Sequence, residues 1–176
     1  MRKISWLLGM VGAAALVSVA AVQGVAASTG PGPATVLKFD TMTPVTGPYV
    51  GPANPLRGVP GGGLPWVITA GTGSLKRDGH LLVTVRGLVL ADQPSVPAAL
   101  RGTNPFPDFR AIVSCQSIGA DGTATIANIS TDNFKADAAG DSTIDARVSL
   151  PQPCLAPIIF VTGPTGVGVW FAVTGG

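Results

Sequence analysis

The chain contains no glutamate: all nine of its acidic residues are aspartate. Histidine and tyrosine occur once each, and cysteine twice, in 176 residues. Charged residues make up 11%, against about a quarter in ordinary globular domains. Each scarcity excludes something. One histidine, His80, cannot build a histidine-rich metal centre. It could serve a Ser-His-Asp triad only beside a nucleophilic serine, and the chain has no G-x-S-x-G elbow. Following Asp78-Gly79, it reads as a solvated turn histidine. Aspartate without glutamate suits turns better than helices. With 24 glycines and 16 prolines, the composition opposes helix and favours short strands joined by tight turns.

The basic balance is also slight. Eleven Lys and Arg against nine Asp give a net charge of +2. Arg2 and Lys3 belong to a targeting pattern: a basic start, an almost wholly apolar run from Ile4 to Val22, and the small residues Val25-Ala26-Ala27. That pattern predicts a signal peptide over residues 1–27, cut after Ala27. A Gly/Pro-rich leader follows over 28–33, and then a single domain over 34–176. The chain has no Arg-Arg pair, no cysteine closing the apolar run and no second apolar stretch near Gly176. These features predict a secreted, extracellular protein that leaves the membrane after cleavage. Nine basic and nine acidic residues then remain, which leaves no electrostatic footprint for nucleic acid.

Along the domain, Ala34–Asp40 reads as a first strand. Thr43–Pro65 is too rich in proline and glycine for a long element. It is also too apolar for a free linker, so a loop lying against the domain is expected. Trp66–Leu90 reads as a hairpin about Arg77-Asp78-Gly79, with Leu81, Val83, Val85 and Val89 on one face and Leu82, Thr84, Arg86 and Leu88 on the other. Gly71, Gly73 and Gly87 mark bulges or close backbone approaches. Asp92–Pro107 is a second proline-rich connection. Strands are expected at 108–117, 123–129 and, at an edge, 133–137. Ser142–Leu150 alternates cleanly, with Ile144, Ala146, Val148 and Leu150 on one face. Ile158–Val161 should be central, and 167–173 is the last strand, with Val169 and Phe171 opposite Trp170. The whole predicts an all-β, two-sheet antiparallel sandwich with Greek-key connections, long Pro/Gly-rich loops and one disulfide.

That disulfide is expected between Cys115 and Cys154, since an exported protein folds in an oxidising compartment. Closing a loop of about 40 residues stabilises by roughly 4 kcal/mol on chain-entropy grounds. Pro151 and Pro153 interrupt the alternating strand, so a bond from Cys154 to a strand residue would pin an irregular crossover to the sheet.

The run from Asp121-Gly122 through Ala139-Gly140-Asp141 to the alternating strand and Cys154 resembles an immunoglobulin-like sandwich over residues 108–173. It departs from the antibody pattern: neither Trp nor Tyr lies between the cysteines, and Cys154 precedes a strand. The segment STIDARVSLPQPC is similar to uncharacterised exported bacterial proteins, a likeness that implies no activity.

Candidate sites are few. Asp132, Asp137 and Asp141 lie close enough in sequence to be calcium candidates, with Asp145 and Asp121 near by, but the D-x-D-x-D-G pattern is absent and aspartate is expected in turns anyway. Gly163–Gly168 lacks the Lys-Ser/Thr of a phosphate loop and reads as a hairpin turn. Asn128-Ile129-Ser130 fits a glycosylation sequon inside an expected strand. Tyr49, Trp66, Phe106 and Trp170 are candidates for a ligand surface; the alternative is that the tryptophans cap the ends of the core. The resulting expectation is an exported, non-catalytic binding or structural module without cofactor, meeting an extracellular or cell-surface partner. The alternative is a carrier of a small apolar molecule, provided Thr43–Pro65 and Asp92–Pro107 enclose an apolar pocket. A third reading, an aspartate-based hydrolase, needs two carboxylates facing one cleft. Intact-mass spectrometry of the exported protein should show a chain beginning at Ser28 and two protons lighter than its reduced form; a mass retaining Met1, or free thiols, would contradict the targeting and pairing arguments.

Overall fold

The computed structural model describes residues 32–166 and 168–174; the expected signal peptide and most of the leader lie outside them, as does Val167. Two antiparallel sheets and a short ribbon make up the fold. The first sheet has the order β1 (Thr35–Phe39), β4 (Ala70–Lys76), β5 (His80–Arg86) and β10 (Ser142–Arg147). The second has β2 (Met42–Pro44), β12 (Trp170–Thr174), β11 (Leu155–Thr162), β7 (Asp108–Ile118) and β8 (Ala124–Ser130) in order, with β9 (Phe134–Lys135) pairing the start of β7. The ribbon pairs β3 (Trp66–Val67) with β6 (Val89–Leu90). The expected two-sheet β-sandwich is therefore present.

The hairpin of β4 and β5 turns at Asp78-Gly79, where the Asp78 carboxylate accepts a hydrogen bond from the His80 amide. Leu75, Leu81, Val83 and Val85 are buried between the sheets. Beyond Arg86 the expected alternation fails. Val89 was expected to share the face of Val85, yet Leu88 and Leu90 are the buried residues and Val89 is only half-buried. Gly87 is the cause. Its φ of +61° is a conformation that only glycine adopts freely, and it interrupts the two-residue period before β6. The expected close approach at Gly73 is also present: a Cβ there would stand 2.6 Å from the ring of Phe39.

β7 is buried on both faces from Ala111 to Cys115. One face meets the opposite sheet. The other lies under the long loop after β2, which carries a 3₁₀ turn at Gly47–Tyr49. Arg57 reaches from this loop to donate to the Ser114 carbonyl at 2.9 Å, and the Asn128 amide donates back to the Arg57 carbonyl at 3.0 Å. Farther on, Trp170 donates to the Pro60 carbonyl and Gly62 to that of Trp170, each at 2.9 Å. The loop thus lies against the domain, as expected, and the first residues of Thr43–Pro65 belong instead to the short strand β2, paired with β12.

Cys115 and Cys154 form the disulfide, 39 residues apart in sequence. Leu155 pairs with Gln116, so the bond joins the chain just ahead of β11 to its neighbour β7 and pins the Pro151–Pro153 crossover. Replacing both cysteines by alanine should lower stability by up to about 4 kcal/mol while preserving the β-sheet circular dichroism spectrum. Guanidinium unfolding of the variant measures this, and an unchanged midpoint would show that the crossover is held without the bond.

Candidate functional site

An apolar cleft of about 370 Å³ opens where the two proline-rich loops converge. The first loop contributes Leu64, the second Leu100, Pro105 and Phe106, the strands behind them Trp66, Leu90 and Phe171, and Val169 comes from just ahead of β12. No charged side chain lines it. The walls follow from local pairings. Trp66 opposes Leu90 across the ribbon, and its amide donates to the Val45 carbonyl at 2.9 Å. Its indole is buried and stacks on Phe171, ring centres 4.0 Å apart. Phe106 lies 5.2 Å from Phe171, and all three rings are within 16° of parallel. Phe109 meets Trp66 and Phe171 edge-on from the core. The cleft is thus an outward extension of the aromatic core.

Its lip is held by hydrogen bonds. Asn104 is buried; its amide nitrogen donates to the carbonyls of Phe106 and Asp137, and its amide oxygen accepts from the Phe106 N–H. Leu90 donates to the Thr103 carbonyl, and Gly102 to that of Leu90. A buried amide satisfied on both sides rigidifies its surroundings, so Phe106 is presented on a fixed loop.

The four aromatic candidates separate into two places. Trp66 and Phe106 line the cleft. Trp170 and Tyr49 do not. Trp170 does point away from Phe171, but it is only 2% exposed, packed with Phe160 and with Tyr49 at 6.3 Å beneath the long loop. The four do not form one aromatic surface, because the covering loop turns the outward position of Trp170 into a buried one. Leu64, Leu90, Leu100, Pro105, Val169 and Phe171 were not singled out from sequence. What pointed toward them was the condition that Thr43–Pro65 and Asp92–Pro107 enclose an apolar pocket, which Leu64, Leu100 and Pro105 meet.

The aspartates are turn and ion-pair residues. Asp137 accepts from the Asp141 amide, and Asp141 accepts from the Gly87 amide and the Arg86 guanidinium. Asp132, the third calcium candidate, uses its backbone carbonyl to accept from the Thr131 hydroxyl. Asp145 meets His80 at 2.8 Å, Asp78 pairs with Arg147, and Asp108 with Lys135. Among the described residues no group of three His, Cys, Asp or Glu is placed to hold a metal ion, and none of the nine aspartates lines the cleft.

Three carboxyls are held below their ordinary value of 3.8. Asp141 is lowered by the Gly87 N–H and then by Arg86, Asp78 by Arg147 and then by the His80 N–H, and Asp121 by the hydroxyl and amide of Thr123. A carboxyl whose folded pKa is depressed adds stability that is complete above its unfolded value and disappears as pH falls through the folded one. The melting temperature should therefore hold steady down to that ordinary value of 3.8 and decline below it. Asp141→Asn should shrink the decline; a melting-temperature profile with the same acid limb for both proteins would remove Asp141 from this role.

No protein-family model matches the chain, and neither the curated proteins nor the solved structures contain a match to it.

Proposed function

We propose that the protein is an exported, non-catalytic binding module that holds a small, uncharged, apolar molecule in the cleft between its two proline-rich loops. The observation that carries this reading is the lining itself: an open cavity of about 370 Å³ walled by Leu64, Trp66, Leu90, Leu100, Phe106 and Phe171, without a charged group. Ligand pockets typically span about 300 to 1,000 Å³ and are mainly apolar. The disulfide supports export, since such bonds persist in oxidising compartments. Among the described residues no helix is long and apolar enough to cross a membrane.

The magnitude is modest. A molecule burying about 300 Å² of apolar surface gains about 7.5 kcal/mol before the costs of association. Dissociation constants of about micromolar or weaker are therefore expected.

Titration with the neutral fluorophore N-phenyl-1-naphthylamine should give saturable emission together with quenching of tryptophan fluorescence. Leu100→Arg places a charge at the lip and should weaken binding by about tenfold or more, whereas Leu82→Ala, on the far sheet, should leave it unchanged. Failure to saturate, or equal binding by the Leu100→Arg protein, would overturn the cleft as a ligand site.

A further inference from the structure

Among the described residues the two sheets end in β1, β10, β2 and β8, with the two-residue β9 in line with β8 along β7, and the edges at β1, β10 and β2 are protected against pairing with another strand. β1 carries Lys38 and a bulge between Thr35 and Leu37. β10 carries Asp145 and Arg147, and its first residue, Ser142, is already bridged to Ala136. β2 is three residues long and ends in Pro44. Charge, proline, brevity and bulges are the devices by which natural sheets close their edges. The fourth edge, β8, has none of them. Its seven residues, ATIANIS, contain no charge, proline or glycine, and its register against β7 is unbroken from Ile112↔Ser130 to Ile118↔Ala124.

The surface beside this edge is also apolar. Ile126 is 42% exposed, and Ile118 and Leu155 are 54% exposed. Direct pairing places Ile126 and Leu155 on either side of Gln116, and Ile118 two residues farther along β7, so all three share one face.

We propose that β8 is a pairing edge for a second copy of this chain, the two β8 strands lying antiparallel about a two-fold axis at Ala127. In an antiparallel pair related by a two-fold axis normal to the sheet, the axis passes between directly opposed residues. A seven-residue strand pairs over its full length only when its middle residue, here Ala127, faces its own copy. The other oppositions are then Ile126 with Asn128, Thr125 with Ile129 and Ala124 with Ser130, which include no like charges and one β-branched pair of the kind that stabilises sheets. The flanking aspartates avoid each other: Asp121 falls opposite Asn133, and Asp132 opposite Gly122. The axis also brings the Ile126 side chains of the two copies together on one face, covering part of the apolar patch.

Sedimentation equilibrium of the purified protein from about 1 μM to about 1 mM should show a reversible dimer. Hydrogen exchange at residues 124–130 should slow as the dimer forms. Ile126→Lys, at an exposed position, should weaken association by at least about tenfold with an unchanged melting temperature at low concentration; Leu82→Lys, exposed on the other sheet, should dimerise as the parent does. A protein that stays monomeric throughout overturns the proposal. So does a dimer indifferent to Ile126→Lys, or one whose β8 amides exchange no more slowly. A monomer whose β8 amides are protected only by an unrelated strand-forming peptide assigns the edge to a different occupant and equally overturns the second-copy assignment.

Discussion

Proline-rich chain cannot satisfy its own backbone, and most of this architecture follows from that constraint. Buried amides and carbonyls need partners, so the two long connections take theirs from the sheets. Val45 donates to Phe171, Trp66 to Val45, and Gly62 to Trp170; Ala91 donates to Pro65, and Leu90 to Thr103. These bonds draw the loops inward. One loop becomes a lid over the outer face of β7 and β12, while the meeting of both leaves an open, apolar gap. The cleft beside Trp66 is that gap.

The aromatic residues divide accordingly. Phe171 and Trp170 are neighbours in β12 and point to opposite faces, yet both are 2% exposed. Phe171 is covered by the other sheet and by Trp66. Trp170 is covered by Tyr49 and the loop. A strand buried on both faces at the margin of a sandwich is possible only because the connection ahead of it behaves as a partial third layer.

Much of the strand pattern was legible in the sequence. Asp78-Gly79, the alternation of Ile144, Ala146 and Val148, and the apolar run at Ile158–Val161 each carry a local signal with a local cause. Cysteine pairing was legible because only one pairing exists. What could not be read was non-local. Gly87 shifts the facing of Leu88 and Leu90 through its backbone angle, which no side-chain period encodes. The burial of Trp170 depends on a loop more than 100 residues earlier in the chain, through the Gly61–Trp170 bridge. Of the nine residues lining the cleft, the sequence marks only Trp66 and Phe106 as ligand candidates. The others, Leu64, Leu90, Leu100 and Phe171 among them, are ordinary residues whose grouping depends on how two irregular segments meet.

The disulfide has a mechanical consequence. It closes a loop of 39 residues that contains β8, β9 and β10. If the molecule is pulled from its two ends, that loop cannot be drawn out, and about 130 Å of extended chain, at about 3.4 Å per residue, is withheld from the stretched length. A protease that nicks the exposed turn at Ala120-Asp121-Gly122 likewise opens a covalent ring without separating the two halves. Under shear or proteolysis, one bond between neighbouring strands limits how far damage to the chain can spread.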